Sequence, residues 1–500
     1  MIDKIFKTPV QKHFAGVSAA TFISRVLGYV RDVFIASFFG TTMFADAFFV
    51  AFRIPNLLRK LLGEGSLPAA FIPTYCETLA KGEKERGEKL AGNFFSLLAV
   101  ISLLLVVLGI IFAPFIIKIT AWGFRENPQK FFLTVSLARI MFPILLLVTL
   151  STAAMGVLNA RKIFFIPAIA PALFNVSLIS FFLLLAGKDP LKNIRGLAFF
   201  AVAGFALHFL LMVPLLVRKK VSRLKYLVTG LFSNPDVKKV FVLLLPAVVG
   251  LSVMQLNIFV DTICASLLGE GMVSALYFAN RVNQLPLALF GISISIVSLP
   301  LMSDSTARND AEGVSLNLFS SLRSSYFLIL PSTAGLIICA KEIVGLLFER
   351  GNFGAFSTNA TASVLVFYAA GLFAFSGVKI FANFFYSMKD MKTPVIAASI
   401  SFVINIFLDV ILMFPMGISG LALATSAASV FNFSYLCFLI LKSGTPAPAG
   451  FSAGMIKILV STGVMTASLL AFPALHILIK IPAAAAVYLI CSKVWGQVLH

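Results

Sequence analysis

The chain has 500 residues, 59% of them hydrophobic and only 12% charged, with a mean hydropathy of +1.00. This excludes a soluble globular protein and indicates an integral membrane protein. Its 40 Lys and Arg against 20 Asp and Glu leave a formal charge of +20, which must reside in loops or, at a cost, inside the bilayer.

Apolar runs of about 20 residues, each able to cross roughly 30 Å of hydrocarbon as a helix, recur along the whole length without the alternation of an outer-membrane barrel. The expected fold is all-α. The first run contains Arg25, Arg31 and Asp32, so it is not a removable signal peptide. Spans are expected near 14–39, 45–62, 91–117, 131–157, 163–186, 195–217, 239–268, 272–302, 316–339, 358–387, 394–414, 417–441, 453–473 and 476–495, about fourteen in all. Between spans two and three, residues 64–88 mix charge with an apolar start and read as an interfacial helix and loop.

An even number of spans puts both termini on one side. The positive-inside rule makes that side cytoplasmic, because the loop with Arg218, Lys219, Lys220, Arg223, Lys225, Lys238 and Lys239 then lies inside. Much of the +20 is therefore a topology signal.

An internal duplication follows from three anchors at nearly one offset. Asp32, Ala36, Ser37, Gly40 and Met43 match Asp261, Ala265, Ser266, Gly269 and Met272; Pro167 matches Pro394; and the run from Ile194 to Ala198 matches that from Ile418 to Ala422. Spans one to six thus repeat as spans seven to twelve in the same orientation, a parallel-repeat transporter architecture with an N-lobe at 1–225, a C-lobe at 226–445 and two extra helices at 446–500. No filter-like loop points to a channel, no P-loop to an ATP-driven pump, and no nucleophile–base pair to an enzyme. The five cysteines and four histidines are scattered, without a disulfide framework or zinc spacing.

The remaining cations lie where charge costs about 2.5 to 3.5 kcal/mol at a span centre. They are Arg25 and Arg31 on span one, Arg53 and Arg59 on span two and Arg281 on span eight, with Lys60 and Lys379 as weaker contributors. Guanidiniums collected in this way suit bidentate contact with phosphate oxygens, so the expected substrate is an anion. The competing role for each is a neutral pair with a carboxylate, such as Asp32, that locks helices together, or snorkelling to the interface. A second constellation has oxygen donors: Asp261 on span seven, Asn405 and Asp409 one turn apart on span eleven, and Thr425 on span twelve. These suit a hard cation such as Na⁺, or a proton on one carboxylate, with buried hydrogen bonding as the structural alternative.

The stretch SRVLGYVRDVFIASFFG, followed by ADAFFVAFRIPNLLRKLLGEGSLPAAFIPTY, resembles the amino-terminal signature of the MurJ/MviN family of lipid II flippases, and FANRVNQLPLALFGISISIVSLP resembles its span-eight signature. The resemblance covers essentially the whole chain and implies the fold of the MOP transporter superfamily. It implies a diphosphate-binding set of Arg25, Arg31, Arg59 and Arg281 with Asp32 as acidic partner, a secondary or gating set of Asp46, Arg53 and Lys60, and Na⁺ on Asp261, Asn405, Asp409 and Thr425. Lys60 stands where several relatives carry Arg, which keeps charge and loses the fork. The resemblance also implies a groove for the lipid tail on the last two spans, lipid II and the bilayer as partners with no nucleic acid, a functional monomer in the bacterial inner membrane, and no cofactor beyond a coupling ion. A flippase for another polyprenyl-diphosphate-linked glycan, or another exporter of the superfamily, is the alternative.

Overall fold

The computed structural model describes residues 9–61, 67–218, 234–473 and 475–494, and their regular structure is entirely helical. In hydrocarbon a backbone can satisfy its own N–H and C=O groups only in this way or in a closed barrel. The chain divides into two compact units, Met1–Leu256 and Asn257–His500.

The first unit holds α1 (Pro9–Phe39), α2 (Met43–Leu61), α3 (Leu67–Ala80), α4 (Lys84–Ile111), α5 (Ala113–Thr120), α6 (Pro128–Met141), α7 (Ile144–Ala160), α8 (Phe165–Leu184), α9 (Pro190–Arg218) and the start of α10 (Pro235–Leu267). The second holds the end of α10, α11 (Met272–Pro286), a π-helical segment (Leu287–Ile292), α12 (Ser293–Ala307), α13 (Ala311–Ile338), α14 (Ala340–Phe348), α15 (Ala355–Ala370), α16 (Leu372–Ser387), α17 (Lys392–Met416), α18 (Ile418–Lys442), α19 (Phe451–Ala471) and α20 (Ile477–Val494).

Local chemistry sets the breaks. Asn127 caps α6 by accepting from the Lys130 N–H at 3.1 Å, with Pro128 in the first turn, and Asp310 caps α13 through the Gly313 N–H at 2.8 Å. Asn234 accepts from the Asp236 N–H at 3.0 Å, so α10 starts at Pro235, earlier than the expected 239. Helices occupy all the expected span positions. Among the described residues ten helical segments are long and apolar enough to cross a membrane, and α15 with α16, bent by 41°, makes an eleventh. The others are α1, α2 and α10; the first two carry several membrane charges, Asp46, Arg53, Arg59 and Lys60 all falling on α2. The basic loop before α10 lies for residues 219–233 outside the described residues.

The repeat is visible in the packing within each unit. In the first, α8 packs on α9, α7 on α9, α2 on α6 and α4 on α7; in the second, the equivalent pairs α17 and α18, α16 and α18, α11 and α15, and α13 and α16 pack likewise. The repeat-anchor glycine Gly420 shows why its residue type is fixed: a Cβ there would collide with the backbone carbonyl of Leu412. The helix α3, in the stretch expected to be interfacial, buries one face and exposes Pro73, Glu77 and Ala80 on the other. Phe71 and Tyr75 are fully buried, and the Phe71 ring stacks on both Tyr75 and Phe94 of α4 in a cluster that includes Val157 and Met212. The last two helices attach to the second unit, α19 on α13 and α20 on α19, around Phe327, Ile458, Met465 and Tyr488.

Candidate functional site

The membrane-embedded charges of the first unit fall into paired and unpaired groups. Arg31 is buried in the C-terminal half of α1 and donates from Nε and Nη2 to Asp32 Oδ1 at 3.0 and 2.6 Å. Its Nη1 donates to Asn175 Oδ1 on α8 at 3.0 Å, and Asn175 returns a bond to the Ser24 carbonyl at 3.0 Å. The guanidinium also lies 5.4 Å from the Phe174 ring centre. Neighbouring residues on a helix diverge, so the pair closes only because the long Arg side chain folds back, and Asn175 fixes it there. Arg31 and Asp32 thereby tie α1 to α8.

Arg25 differs. It is exposed in the middle of α1, among the exposed apolar residues Phe22, Ile23 and Val26, and it has no ion-pair partner among the described residues. On α2, Asp46 is fully buried and accepts from Lys130 Nζ of α6 at 2.6 Å. The same ammonium sits 4.0 Å from the Phe124 ring centre. Arg53 and Lys60 are half-buried further along α2, and the Arg59 side chain lies outside the described residues. Asn175 and Lys130 are the participants that the sequence did not single out. A lone amide inside an apolar run marks Asn175, whereas Lys130 reads as a span end and gives no such signal.

In the second unit Arg281 is half-buried on α11, one turn and a half before the π-helical segment. The oxygen-rich constellation is buried: Asp261 on α10 and Asp409 on α17 interact carboxyl to carboxyl. Asn405, one turn earlier on α17, is fully buried, and neither its amide atoms nor the Asp409 oxygens have a hydrogen-bond partner. Thr425 on the adjoining α18 donates to the Leu421 carbonyl at 3.0 Å, which leaves its oxygen lone pairs for another contact. Two carboxyls in contact away from water need a proton or a cation between them. Orphaned oxygens beside them match a hard cation's preference, so the donor set fits one. No group of three or more His, Cys, Asp and Glu gathers among the described residues, so any such site would use the amide and hydroxyl oxygens as well.

Outside the spans, α3, α4 and α10 are joined by charge. Arg86 grips Asp236 through two 2.8 Å bonds, and Glu77 accepts from Lys81 at 2.7 Å and Lys239 at 3.3 Å. The two ammoniums, Lys81 first, hold the Glu77 carboxyl below its usual range.

The family model described as "Lipid II flippase MurJ" matches residues 35–495. A probable lipid II flippase MurJ of Buchnera aphidicola subsp. Acyrthosiphon pisum is 36% identical over 433 residues, covering 85% of this chain and 82% of the relative. The lipid II flippase MurJ of Burkholderia cenocepacia is 35% identical over 431 residues, with 85% and 82% covered. A solved lipid II flippase MurJ in an inward closed conformation superposes with a TM-score of 0.83 at 29% identity, over 96% of this chain and 98% of that one. An inward-facing multidrug resistance MATE transporter of the MOP superfamily, 14% identical, shares the fold with a TM-score of 0.65 over 87% and 95% of the two chains.

Proposed function

The chain belongs to the lipid II flippase MurJ family, and we propose that it carries the undecaprenyl-diphosphate-linked peptidoglycan precursor from the cytoplasmic to the outer leaflet by alternating access of its two lobes. It is a multi-pass protein of the bacterial inner membrane, and its family is one of transporters rather than catalysts. Both termini are cytoplasmic in this reading, and the monomer, with lobes at 1–225 and 226–445 and the tail groove at 446–500, is the working unit.

The observation that carries the assignment of the anion site is Arg25, a cation exposed at mid-helix with no carboxylate partner among the described residues. Such a position is costly in lipid unless water or an anion meets it. The diphosphate is held by Arg25, Arg59 and Arg281, whose forks match its oxygens. Arg31 joins them only by exchanging the Asp32 oxygen for a phosphate oxygen, a swap that would loosen α1 from α8 as substrate loads. Asp46, Arg53 and Lys60 set the position and charge of α2. No bond is made or broken in the substrate. Na⁺ or a proton on Asp261 and Asp409, with Asn405 and Thr425, supplies the charge compensation that lets the empty carrier reset.

The test is Arg281→Glu in full-length protein reconstituted into liposomes. Insertion and unfolding temperature should be kept while lipid II flipping falls by at least about 100-fold, the order expected when a charge-assisted contact worth roughly 1.5 to 3 kcal/mol is replaced by repulsion. Flipping retained at the wild-type rate removes Arg281 from the diphosphate site.

A further inference from the structure

The helix α16 is built differently from most other spans. None of its residues from Leu372 to Ser387 is exposed, and the same holds for α7, its counterpart in the first repeat. These are the interior helices of their units, so neither can lift a charged head toward lipid headgroups along an outer face. The helix α7 carries no charged residue. The helix α16 carries one, Lys379.

Lys379 is half-buried, and no carboxylate or other hydrogen-bond acceptor engages its ammonium among the described residues. Of the half-buried residues of α16, Phe373 and Val378 pack against the apolar core around Phe381, Phe384 and Leu436. The remainder, Phe375, Lys379, Ala382 and Tyr386, recur at helical spacing along one face. Polar groups flank that face: Asn383 donates to the Ser295 carbonyl at 2.6 Å and to Ser298 Oγ at 3.1 Å. Ser295 Oγ lies 3.5 Å from the Lys379 carbonyl. That contact places Lys379 level with Ser295, which follows Arg281 along the same span. At 1.5 Å per residue the two cations lie about 20 Å apart along the helix axis, some two-thirds of the hydrocarbon thickness.

We infer that Lys379 is a second anion station in the C-lobe, which meets a phosphate of the lipid headgroup near the cytoplasmic side before Arg281 takes it further out. The inference rests on the proposed function and its topology, and it goes beyond them by adding a residue and an order of contact. A compact ammonium with three rotatable donors suits a loading step, because it attracts a phosphate without the fixed geometry of the guanidinium fork. An unpaired lysine in the interior of a span has a cost that a purely structural position would have no reason to retain.

The experiment measures lipid II flipping by the full-length protein in liposomes as a function of lipid II content, for wild type, Lys379→Met and Lys379→Arg, with unfolding temperatures recorded in parallel. Methionine matches the stem and removes the charge. It should leave the unfolding temperature unchanged or raise it, since no partner is orphaned, while the lipid II content for half-maximal rate rises about tenfold or more. Arginine should restore most of the loss. A wild type that flips lipid II together with a Lys379→Met variant of equal half-saturation overturns the station alone. A Lys379→Met variant that is less stable and is not rescued by Arg also overturns it, by making Lys379 a packing residue. A wild type that does not flip lipid II removes the functional reading and this inference together.

Discussion

At the residue scale the buried pair of Asp46 and Lys130 shows how a membrane charge becomes structural. The ammonium is desolvated, 2.6 Å from its carboxylate and 4.0 Å from an aromatic face, so the two groups neutralise each other and bind α2 to α6. Removing one partner breaks this buried ion pair. Lys130→Met and Asp46→Asn should each destabilise the protein by about 3 to 5 kcal/mol, whereas replacing both should recover most of that loss; thermal unfolding in detergent measures the cycle. If the double variant loses the sum of the two single losses, the pair carries no coupling. The sequence identified Asp46 but not this partner, because 84 positions separate the two residues and only the packing of α2 on α6 brings them together. The same limit applies to Arg31: its carboxylate is adjacent in sequence, and the Asn175 that fixes it is not.

At the element scale the helices were legible and their junctions less so. Apolar length alone locates the spans, since the bilayer leaves the backbone few other conformations. Composition does not disclose that α3 buries Phe71 and Tyr75, or that span eight contains a π-helical turn after Pro286, since both depend on which neighbours press on the helix. Glycines give a sharper reading. At Gly420 an added methyl would meet the Leu412 backbone, which cannot move aside as a side chain can. At Gly463, inside α19, nothing lies within 4 Å. Gly420→Ala should therefore cost about 1 to 3 kcal/mol through overpacking, and Gly463→Ala should be neutral or stabilise by up to about 1 kcal/mol through helix propensity. Opposite shifts in unfolding temperature are the expected result; equal losses would show that the close approach of α17 and α18 does not govern the first site.

At the scale of the whole molecule, the charge budget connects the fold to energetics of transport. Internal partners neutralise part of the membrane charge, as Asp32 does for Arg31 and Asp46 for Lys130, and the rest meets the substrate in the proposed cycle. The sign of the charge that moves is then a measurable property of the loaded carrier. If arginines fully balanced the diphosphate, a membrane potential would leave the outward step unchanged. If the complex retains net negative charge, each elementary charge crossing the full field gains about 2.3 kcal/mol per 100 mV when the inside is negative, up to roughly a 50-fold change in rate. In liposomes holding a potassium diffusion potential, outward flipping should accelerate with an inside-negative potential and slow when it is reversed. The reset of the empty carrier should depend separately on Asp261 and Asp409. Asp409→Asn should spare a single turnover and slow repeated ones, with the loss mimicked in wild type by replacing Na⁺ with choline. A variant impaired equally in the first and later turnovers would place Asp409 in the loading step instead, and repeated turnover unaffected by both changes would remove its coupling role.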